Sequence, residues 1–228
     1  MQSLNISHVS IVNSLGAGCS AVARALREGR SGLAPCAFET VALETFVGEI
    51  AELEATPVRH DLFAYDCRNN RLAQYALELD GFSSAVARAR AQYGAQRIGV
   101  FMATSTSGML ETELAYRRLD PHTGALPADF RYAEQHNTYS VGEFVRRYLH
   151  LEGPAFVVSS ACSASAKVFG NAARMIAAGV CEAAVVGGVD TLCLTTLYGF
   201  NALGLVSREP CRPFDVQRDG ISLGEGAG

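Results

Sequence analysis

The sequence AFVVSSACSASAKVFG, residues 155–170, contains the pattern that decides the fold. Its opening residues, Ala155–Val158 together with Ser159, are mostly apolar and partly β-branched, which predicts a short buried strand. Small residues and one cysteine follow, and an alanine-rich segment predicts a helix from Ser163 to Ala178. A glycine ends that helix, and the apolar segment Ala183–Asp190 predicts a second buried strand. The order strand, helix, strand indicates a βαβ unit.

A single cysteine, Cys162, stands at the corner where the predicted strand meets the predicted helix. Unpaired N–H groups and the helix macrodipole favour negative charge at such a corner, so more of the thiol is expected to be thiolate near neutral pH. The same N–H groups can bind the oxyanion that forms when a thiolate attacks a carbonyl carbon. Cys162 is therefore a candidate nucleophile. A buried structural cysteine is the alternative interpretation, and the spacing alone leaves both open.

The predicted helix has two faces of different character. Lys167, Asn171 and Arg174 recur at spacings of four and three residues and form one polar stripe. The opposite face carries small and apolar residues and is predicted to be buried: Ala166, Phe169, Gly170, Ala173, Ile176 and Ala177. Because small residues let neighbouring backbone approach closely, this helix is predicted to lie between two layers of structure.

Length and composition describe a folded protein with a sizeable core. The chain has 228 residues, enough for one large domain or two small ones, with 49% hydrophobic and 18% charged residues. A formal net charge of -4 gives no reason to expect nucleic acid or an anionic membrane as a partner. No apolar run reaches membrane-spanning length and no secretory signal is recognisable, so a cytoplasmic location is expected.

Disulfide, metal and dinucleotide chemistry find little support in the sequence. Seven cysteines are present, an odd number without any C-x-x-C pair, which argues against a disulfide framework and a zinc site. The five histidines show no metal-ligand spacing, so no metal is expected. Gly16-x-Gly18-x-x-Ala21 matches a dinucleotide-binding turn only loosely, since the segment before the acidic candidate Glu39 does not have the pattern of a second parallel strand.

The remaining chain predicts further strands and helices. Residues 6–13 are predicted as a strand, and a buried strand within Arg97–Gly108 runs into a turn of Thr, Ser and Gly. Such a turn, at the carboxyl end of a strand, is where open α/β sheets place ligands. Further helices are predicted over residues 69–79, 83–93, 141–150 and 194–204.

Four segments of the chain together carry a recognisable set of motifs. They are SIVNSLGAGCSAVARALREGRSGL at residues 10–33, RIGVFMATSTSGMLETE at 97–113, VVSSACSASAKVFGNAARMIAAGVCEAAVVGGVD at 157–190, and the tail with Arg212-Pro213-Phe214-Asp215 and Gly224-Glu225-Gly226-Ala227-Gly228. In this order they resemble the elongating β-ketoacyl-acyl-carrier-protein synthases, or ketosynthases, over nearly the whole chain. The resemblance also removes the dinucleotide interpretation of the glycine turn.

The resemblance implies a thiolase-like α/β fold of layered αβαβα type, with a mixed sheet and a buried central helix in each half. Residues 1–228 resemble the amino-terminal ketosynthase domain only, so the sequence is expected to be truncated, with the carboxy-terminal half absent. The family's two catalytic histidines lie in motifs of that second half. The fragment alone is therefore expected to be inactive.

The resemblance implies an acyltransferase that uses Cys162 to form an acyl-enzyme. A malonyl-type extender on an acyl carrier protein then loses carbon dioxide and condenses with the acyl group, in fatty acid or polyketide and polyene biosynthesis. No cofactor is implied, because the substrates are carried on the phosphopantetheine of the acyl carrier protein. The acyl chain length and the pathway stay open.

Further residues match positions with roles in that family. Thr106 falls where relatives place a residue that gates the acyl pocket, Phe200 matches a pocket-wall position, and Ala161 lies beside the nucleophile. Arg68 and Arg208 match positions where relatives dock acidic carrier proteins. Core packing is the alternative for Phe200, and solvated surface charges are the alternative for the two arginines.

Other functions remain as alternatives. A chain-length factor, the non-condensing partner subunit of a ketosynthase heterodimer, shares this fold, although such subunits lack the active-site cysteine. The Arg212–Asp215 and Gly224–Gly228 motifs disfavour a thiolase or an initiating synthase that uses coenzyme A, and no G-x-S-x-G supports a hydrolase. The family dimerises through a strand near the active-site corner, so a homodimer or a heterodimer with a chain-length factor is expected.

Overall fold

The chain alternates strands and helices, and a computed structural model describes it over residues 4–228. The strands are β1 Val12–Asn13, β2 Gly16–Ala17, β3 Ala34–Pro35, β4 Phe46–Gly48, β5 Ile98–Ala103, β6 Ala155–Val158, β7 Ala183–Asp190, β8 Leu223–Gly224 and β9 Gly226–Ala227. The helices are α1 Cys19–Arg27, α2 Arg68–Glu78, α3 Phe82–Tyr93, α4 Met109–Tyr116, α5 Ser140–Tyr148, α6 Ala164–Ala177 and α7 Leu194–Ala202. Short 3₁₀ turns cover Ala51–Ala55, His60–Tyr65 and Ala95–Arg97, and a π turn covers Tyr132–His136.

Six strands form the main sheet in the order β2-β1-β9-β7-β5-β6. β5 pairs in parallel with β6 on one side and with β7 on the other, whereas β9 pairs antiparallel with both β7 and β1. The sheet is therefore mixed, as predicted. A second sheet of three short strands has the order β3-β4-β8.

The central strand β5 divides the core into two faces. All six of its residues are buried, which explains its continuous apolar sequence. Side chains alternate along a strand, so Ile98, Val100 and Met102 pack with α2 and α5 on one face of the sheet. Phe101 and Ala103 point the other way and pack with α6. Helices therefore cover both faces of the parallel part of the sheet, which confirms the predicted α/β class.

The βαβ unit predicted from the sequence is confirmed at its strands and almost at its helix. β7 has the predicted bounds, β6 lacks only the predicted Ser159, and α6 starts one residue later and ends one residue earlier than predicted. The predicted burial of β6 is wrong, because Phe156 is 42% exposed and the other three residues are only partly buried. The strand predicted over residues 6–13 is wrong for most of its length, because only Val12–Asn13 pair with other strands. Residues 4–9 are exposed, with Ile6 at 70%, so alternation alone did not indicate burial.

The buried face of α6 is not the predicted one. Ala164, Val168 and Ala172 contact the sheet at a spacing of four residues, and all three are nearly inaccessible. Ala166 is exposed, and Phe169 is 49% exposed on the side away from the sheet. The prediction failed because both sides of α6 carry small and apolar residues. Within residues 4–228, the sheet covers one side of this helix.

Gly153 lets the chain before β6 lie close to the backbone of β5. Gly153 is buried just before β6, and a Cβ on it would lie 2.1 Å from the carbonyl oxygen of Ile98. Because that atom belongs to the backbone of β5, no side-chain rotation can relieve the clash. We expect Gly153→Ala to lower the free energy of unfolding by about 1–3 kcal/mol, the usual cost of overpacking. Urea denaturation of the purified protein measures this, with Gly199→Ala as a control at a glycine whose Cβ would meet nothing within 4 Å and whose φ is not positive. Equal stability of Gly153→Ala and the parent would contradict the argument.

Candidate functional site

The carboxyl ends of three parallel strands define one edge of the main sheet. β5 ends at Ala103, β6 at Val158 and β7 at Asp190, and the turns after β5 and β6 are rich in small polar residues. The Thr104 N–H donates to the Val158 carbonyl at 3.3 Å, which places the turn after β5 directly beside the turn after β6. Ligands in open α/β sheets bind at this edge.

The turn after β6 presents Cys162 to solvent at the start of α6. The cysteine is exposed and lies two residues before the first helical residue, Ala164. Ser163 occupies the N-cap position, but its hydroxyl donates to the Ser160 carbonyl at 3.0 Å and does not cap the helix. No acidic residue lies in the first turn of α6. The positive end of the helix is therefore left open beside the thiol.

Ala161, at the corner between β6 and α6, has a strained backbone conformation that the sequence did not indicate. Ala161 has a φ of 53°, in the left-handed region that residues with a Cβ rarely adopt. Its carbonyl accepts the first hydrogen bond of the turn, from the Ala164 N–H at 2.9 Å. Such strain clusters at functional sites and is maintained by the surrounding structure. Ala161, predicted to lie beside the substrate, is exposed next to Cys162.

The turn after β5 carries Thr106, which is 6% exposed. Its hydroxyl donates to the Asp190 carboxylate at 3.0 Å and accepts from the Thr191 N–H at 3.0 Å. The neighbouring Ser107 also adopts a left-handed conformation, with a φ of 45°. The structure therefore brings Thr106 and Cys162 to adjacent strand ends, while the Thr106 hydroxyl is fully occupied by protein groups.

Phe200 and Arg208 lie on the segment that follows β7. Phe200 is half-buried on α7, which packs near α4. Arg208 is exposed and lines an open concavity together with Cys36, Glu44 and Phe46. The roles of Phe200 in the pocket wall and of Arg208 in carrier docking stay predictions.

The docking role predicted for Arg68 is wrong, because this side chain is not at the surface. It is 3% exposed, and its guanidinium donates to both carboxylate oxygens of Glu225 at 2.6 and 2.8 Å. It also pairs with Glu54 and lies 5.3 Å from the centre of the Phe38 ring. Burial disfavours the charged form, but the Glu225 hydrogen bonds and the nearby carboxylates more than offset this, so the pKa of Arg68 lies above its usual value. Arg68 is a buried structural cation.

Glu225, from the Gly224–Gly228 motif, is the partner that the sequence did not indicate. Its carboxylate also accepts the Ile50 N–H at 2.9 Å and the Leu192 N–H at 3.0 Å. A single buried carboxylate therefore connects α2, the loop after β4, and the loop after β7. Four donors on one carboxylate satisfy the charge that burial would otherwise penalise.

A second enclosed carboxylate, Glu111 of α4, lies near this network. One of its oxygens accepts a hydrogen bond from the backbone N–H of Arg68 at 2.7 Å. The other oxygen is buried without a partner among the residues that the structure describes. Burial raises the pKa of Glu111 above its ordinary value, and the Arg68 N–H opposes the shift only in part. The folded state therefore binds this proton more readily than the unfolded state.

This shift predicts a specific pH dependence. A carboxyl whose pKa is raised on folding costs no stability below its unfolded pKa, about 4.3, and destabilises the fold as pH rises through the raised value. We expect Glu111→Gln to be more stable than the parent at pH 7, because glutamine keeps the acceptor for Arg68 and carries no charge. The difference should shrink as the pH falls to about 4. Urea denaturation at both pH values measures it, and a constant difference at the two would contradict the assignment.

The described chain was also compared with the geometry of metal sites and of membrane-spanning helices. Among residues 4–228, no three histidine, cysteine, aspartate or glutamate side chains group closely enough to hold a metal ion. No helix in the same range is long and apolar enough to cross a membrane.

Comparison with known proteins identifies relatives for nearly the whole chain. The family model for the beta-ketoacyl synthase N-terminal domain matches residues 4–228. Nodulation protein E of Rhizobium meliloti is 30% identical over 221 residues, covering 94% of this chain and 53% of that protein. The 3-oxoacyl-[acyl-carrier-protein] synthase 2 of the same species is 40% identical over 86 residues, covering 34% of this chain and 20% of that protein. The chain thus spans about half the length of the nodulation proteins it matches.

A solved structure gives the corresponding match in three dimensions. A chain in the complex of a ketosynthase with its chain length factor, from Xenorhabdus doucetiae, superposes with a TM-score of 0.83 at 31% identity. The match covers 97% of this chain and 55% of that one. It confirms the predicted thiolase-like, layered α/β fold.

Proposed function

Because the chain belongs to the β-ketoacyl synthase family, as its N-terminal domain, we propose that the protein is a ketosynthase that condenses an acyl thioester with a malonyl-type extender. The observation that carries the proposal is the position of Cys162. This thiol is exposed at the uncapped start of α6. It lies on the sheet edge where the turn after β5 begins. Fatty acid and polyketide biosynthesis both use this reaction.

In the proposed reaction, Cys162 acts first as a nucleophile. Its thiolate attacks the carbonyl carbon of an acyl thioester on the phosphopantetheine arm of an acyl carrier protein. The carrier thiol leaves with the electron pair of the broken C–S bond, and the acyl group stays on Cys162. In this step the backbone N–H of Cys162 is the proposed donor to the negative oxygen that develops on the substrate.

The second step forms the carbon–carbon bond. A malonyl-carrier protein loses carbon dioxide, and the electron pair of the broken C–C bond becomes an enolate. The enolate carbon attacks the acyl carbonyl and expels the Cys162 thiolate, which restores the enzyme. The histidines expected to stabilise the enolate lie outside this sequence, so we expect condensation from the full-length protein only.

The proposal is tested by following the acyl group. The full-length protein, with its partner if one is required, is incubated with an acyl-carrier protein, and the tryptic peptides are analysed by mass spectrometry. We expect one acyl adduct, on the peptide that contains Cys162, and a β-ketoacyl product when malonyl-carrier protein is added. An adduct on another residue, or none, would refute the proposed function.

A chain-length factor is the second candidate, because the solved structure from Xenorhabdus doucetiae contains a ketosynthase and such a factor. A non-condensing subunit would carry no acyl adduct, so the same experiment separates the two.

In either case β6 supports pairing with another subunit, since it lies at the edge of the main sheet and has one unpaired side within the described residues. We propose a dimer, with the same or a different chain, and a cytoplasmic location.

Arg208 is the remaining candidate for docking the acidic carrier protein. Its exposed guanidinium can attract a negative partner, and reversing its charge should slow the encounter. We expect Arg208→Glu to reduce the rate of acylation roughly fivefold to tenfold at low salt, and less at high salt. Stopped-flow or quenched acylation assays measure this, with Arg27→Glu on α1 as a control of equal charge change. Equal effects of the two substitutions would argue against a local docking site.

A further inference from the structure

A single oxygen atom organises the turn after β5. Oδ1 of Asp190 accepts four hydrogen bonds, from the Thr104 hydroxyl at 3.1 Å, the Ser105 N–H at 2.6 Å, the Thr106 N–H at 2.9 Å and the Thr106 hydroxyl at 3.0 Å. Asp190 is the last residue of β7, so these bonds cross from one strand end to the turn of its neighbour. Hydrogen bonds to a carboxylate are about twice as strong as those between neutral groups.

The same turn is closed by further bonds that depend on this arrangement. The Thr104 hydroxyl accepts the Ser107 N–H at 2.9 Å, and the Thr106 hydroxyl accepts the Thr191 N–H at 3.0 Å. Both hydroxyls therefore donate to Asp190 and accept from backbone. Removing the carboxylate would leave two buried hydroxyls and two N–H groups without an acceptor, which is costly in a buried turn.

The far end of the turn is held by the π turn at residues 132–136. The Gly108 N–H donates to the Gln135 carbonyl at 3.2 Å, and the Ser107 hydroxyl donates to the Asn137 carbonyl at 3.1 Å. Ser107 keeps its left-handed backbone between these two anchors. The turn is therefore fixed at both ends, and Asp190 is the charged anchor.

The charge of Asp190 has no cationic partner in the described part of the chain. No arginine, lysine or histidine nitrogen there lies within 4.0 Å of its carboxylate. Among protein groups in this part of the chain, the four donors of the turn are the ones that satisfy the Asp190 charge. Asp190 therefore differs from Glu225: Asp190 is bonded to one turn, whereas Glu225 is paired with the buried guanidinium of Arg68.

We propose that Asp190 is a positioning residue that sets which acyl chains are accepted beside Cys162. The inference rests on the proposed function. The turn that Asp190 holds starts next to the Val158 carbonyl, four residues before Cys162 and on the ligand-binding edge of the sheet. An acyl chain attached to Cys162 and extending along this edge meets the Thr104–Ser107 turn. The shape of the turn then decides how long a chain can be.

The test compares acylation rates across a series of saturated acyl-carrier proteins of increasing chain length, using the full-length protein and its partner. Asp190→Ala should change the ratio of the rates for long and short chains by about tenfold, since a loosened turn misplaces the wall of the binding site. Asp190→Asn should shift the ratio in the same direction but by less than Asp190→Ala, because the amide oxygen replaces Oδ1 as acceptor without its charge. Asp129→Ala, at an exposed aspartate in a loop, is the control for loss of a charge.

Thr104→Val provides a second variant that preserves shape. Thr104 is 1% exposed, and valine removes only its hydroxyl, which joins Asp190 to the Ser107 N–H. We expect it to shift the ratio of long-chain to short-chain rates in the same direction as Asp190→Ala. The double variant Asp190→Ala with Thr104→Val should show the same ratio as Asp190→Ala alone. If Asp190→Ala and Thr104→Val lower all rates by one common factor, or leave the ratio unchanged, the inference is overturned. Absence of acylation in the parent would instead overturn the proposed function on which it rests.

Discussion

Replacing Cys162 by alanine is expected to lower the condensation rate of the full-length protein by about a thousandfold or more, because the acyl-enzyme can no longer form. The substitution removes an exposed sulfur atom at a corner whose backbone is held by other residues, so the fold should be unaffected. The rate of β-ketoacyl product formation and the thermal unfolding midpoint together measure this. A loss of product with an unchanged midpoint is the expected result.

Cys162→Ser is the matched control for the chemistry. Serine is close in size and shape to cysteine, but its hydroxyl stays protonated at neutral pH and is a much weaker nucleophile. We therefore expect a severe loss of acylation here as well. Turnover at the parental rate in either variant would show that the nucleophile is elsewhere, and would remove the main support for the proposed function.

Replacing Arg68 by methionine is expected to have the largest effect on stability. The variant leaves the Glu225 carboxylate, whose side chain is 0% exposed, without its cation. Breaking a buried ion pair from one side typically costs about 3–5 kcal/mol. We expect a loss of this size in the free energy of unfolding, measured by urea denaturation. Arg208→Met, at an exposed arginine, should change stability by less than about 0.5 kcal/mol.

The double variant Arg68→Met with Glu225→Gln tests the reason for that loss. If the cost arises from an uncompensated buried charge, neutralising Glu225 should recover part of it, so the two changes should be less than additive. Strict additivity would mean that the two side chains do not interact. If Arg68→Met instead weakened carrier binding and left the stability unchanged, Arg68 would be a docking residue and the structural assignment would be wrong.

The sequence predicted the elements near Cys162 well because each is determined locally. Apolar runs predict the strands β6 and β7 from their own residues, and small residues predict the helix between them, although only β7 has buried residues. Cys162 was found because its position depends only on that strand-helix junction. The positive φ of Ala161 left no trace in the sequence, since alanine is not a residue that predicts a left-handed turn.

The failures involve partners that are distant along the chain. Arg68 was predicted to dock a carrier protein because it matches such a position in the family, and nothing nearby in the sequence indicates burial, since its partner Glu225 is 157 residues away. The role of Asp190 was missed for the same reason, since its acceptor bonds reach 84 to 86 residues back to the turn after β5. The exposed side of α6 could not be recognised, because its residues are as apolar as those that contact the sheet.

The order of strands in the main sheet also constrains how the chain folds as it is made. β9, at residues 226–227, lies between β1 and β7, so the β1–β2 hairpin has no neighbouring strand until more than two hundred residues have emerged from the ribosome. Contacts of such long sequence separation form slowly, and strand edges exposed in the meantime favour aggregation. We expect nascent chains of this protein to depend on chaperones until that strand is available.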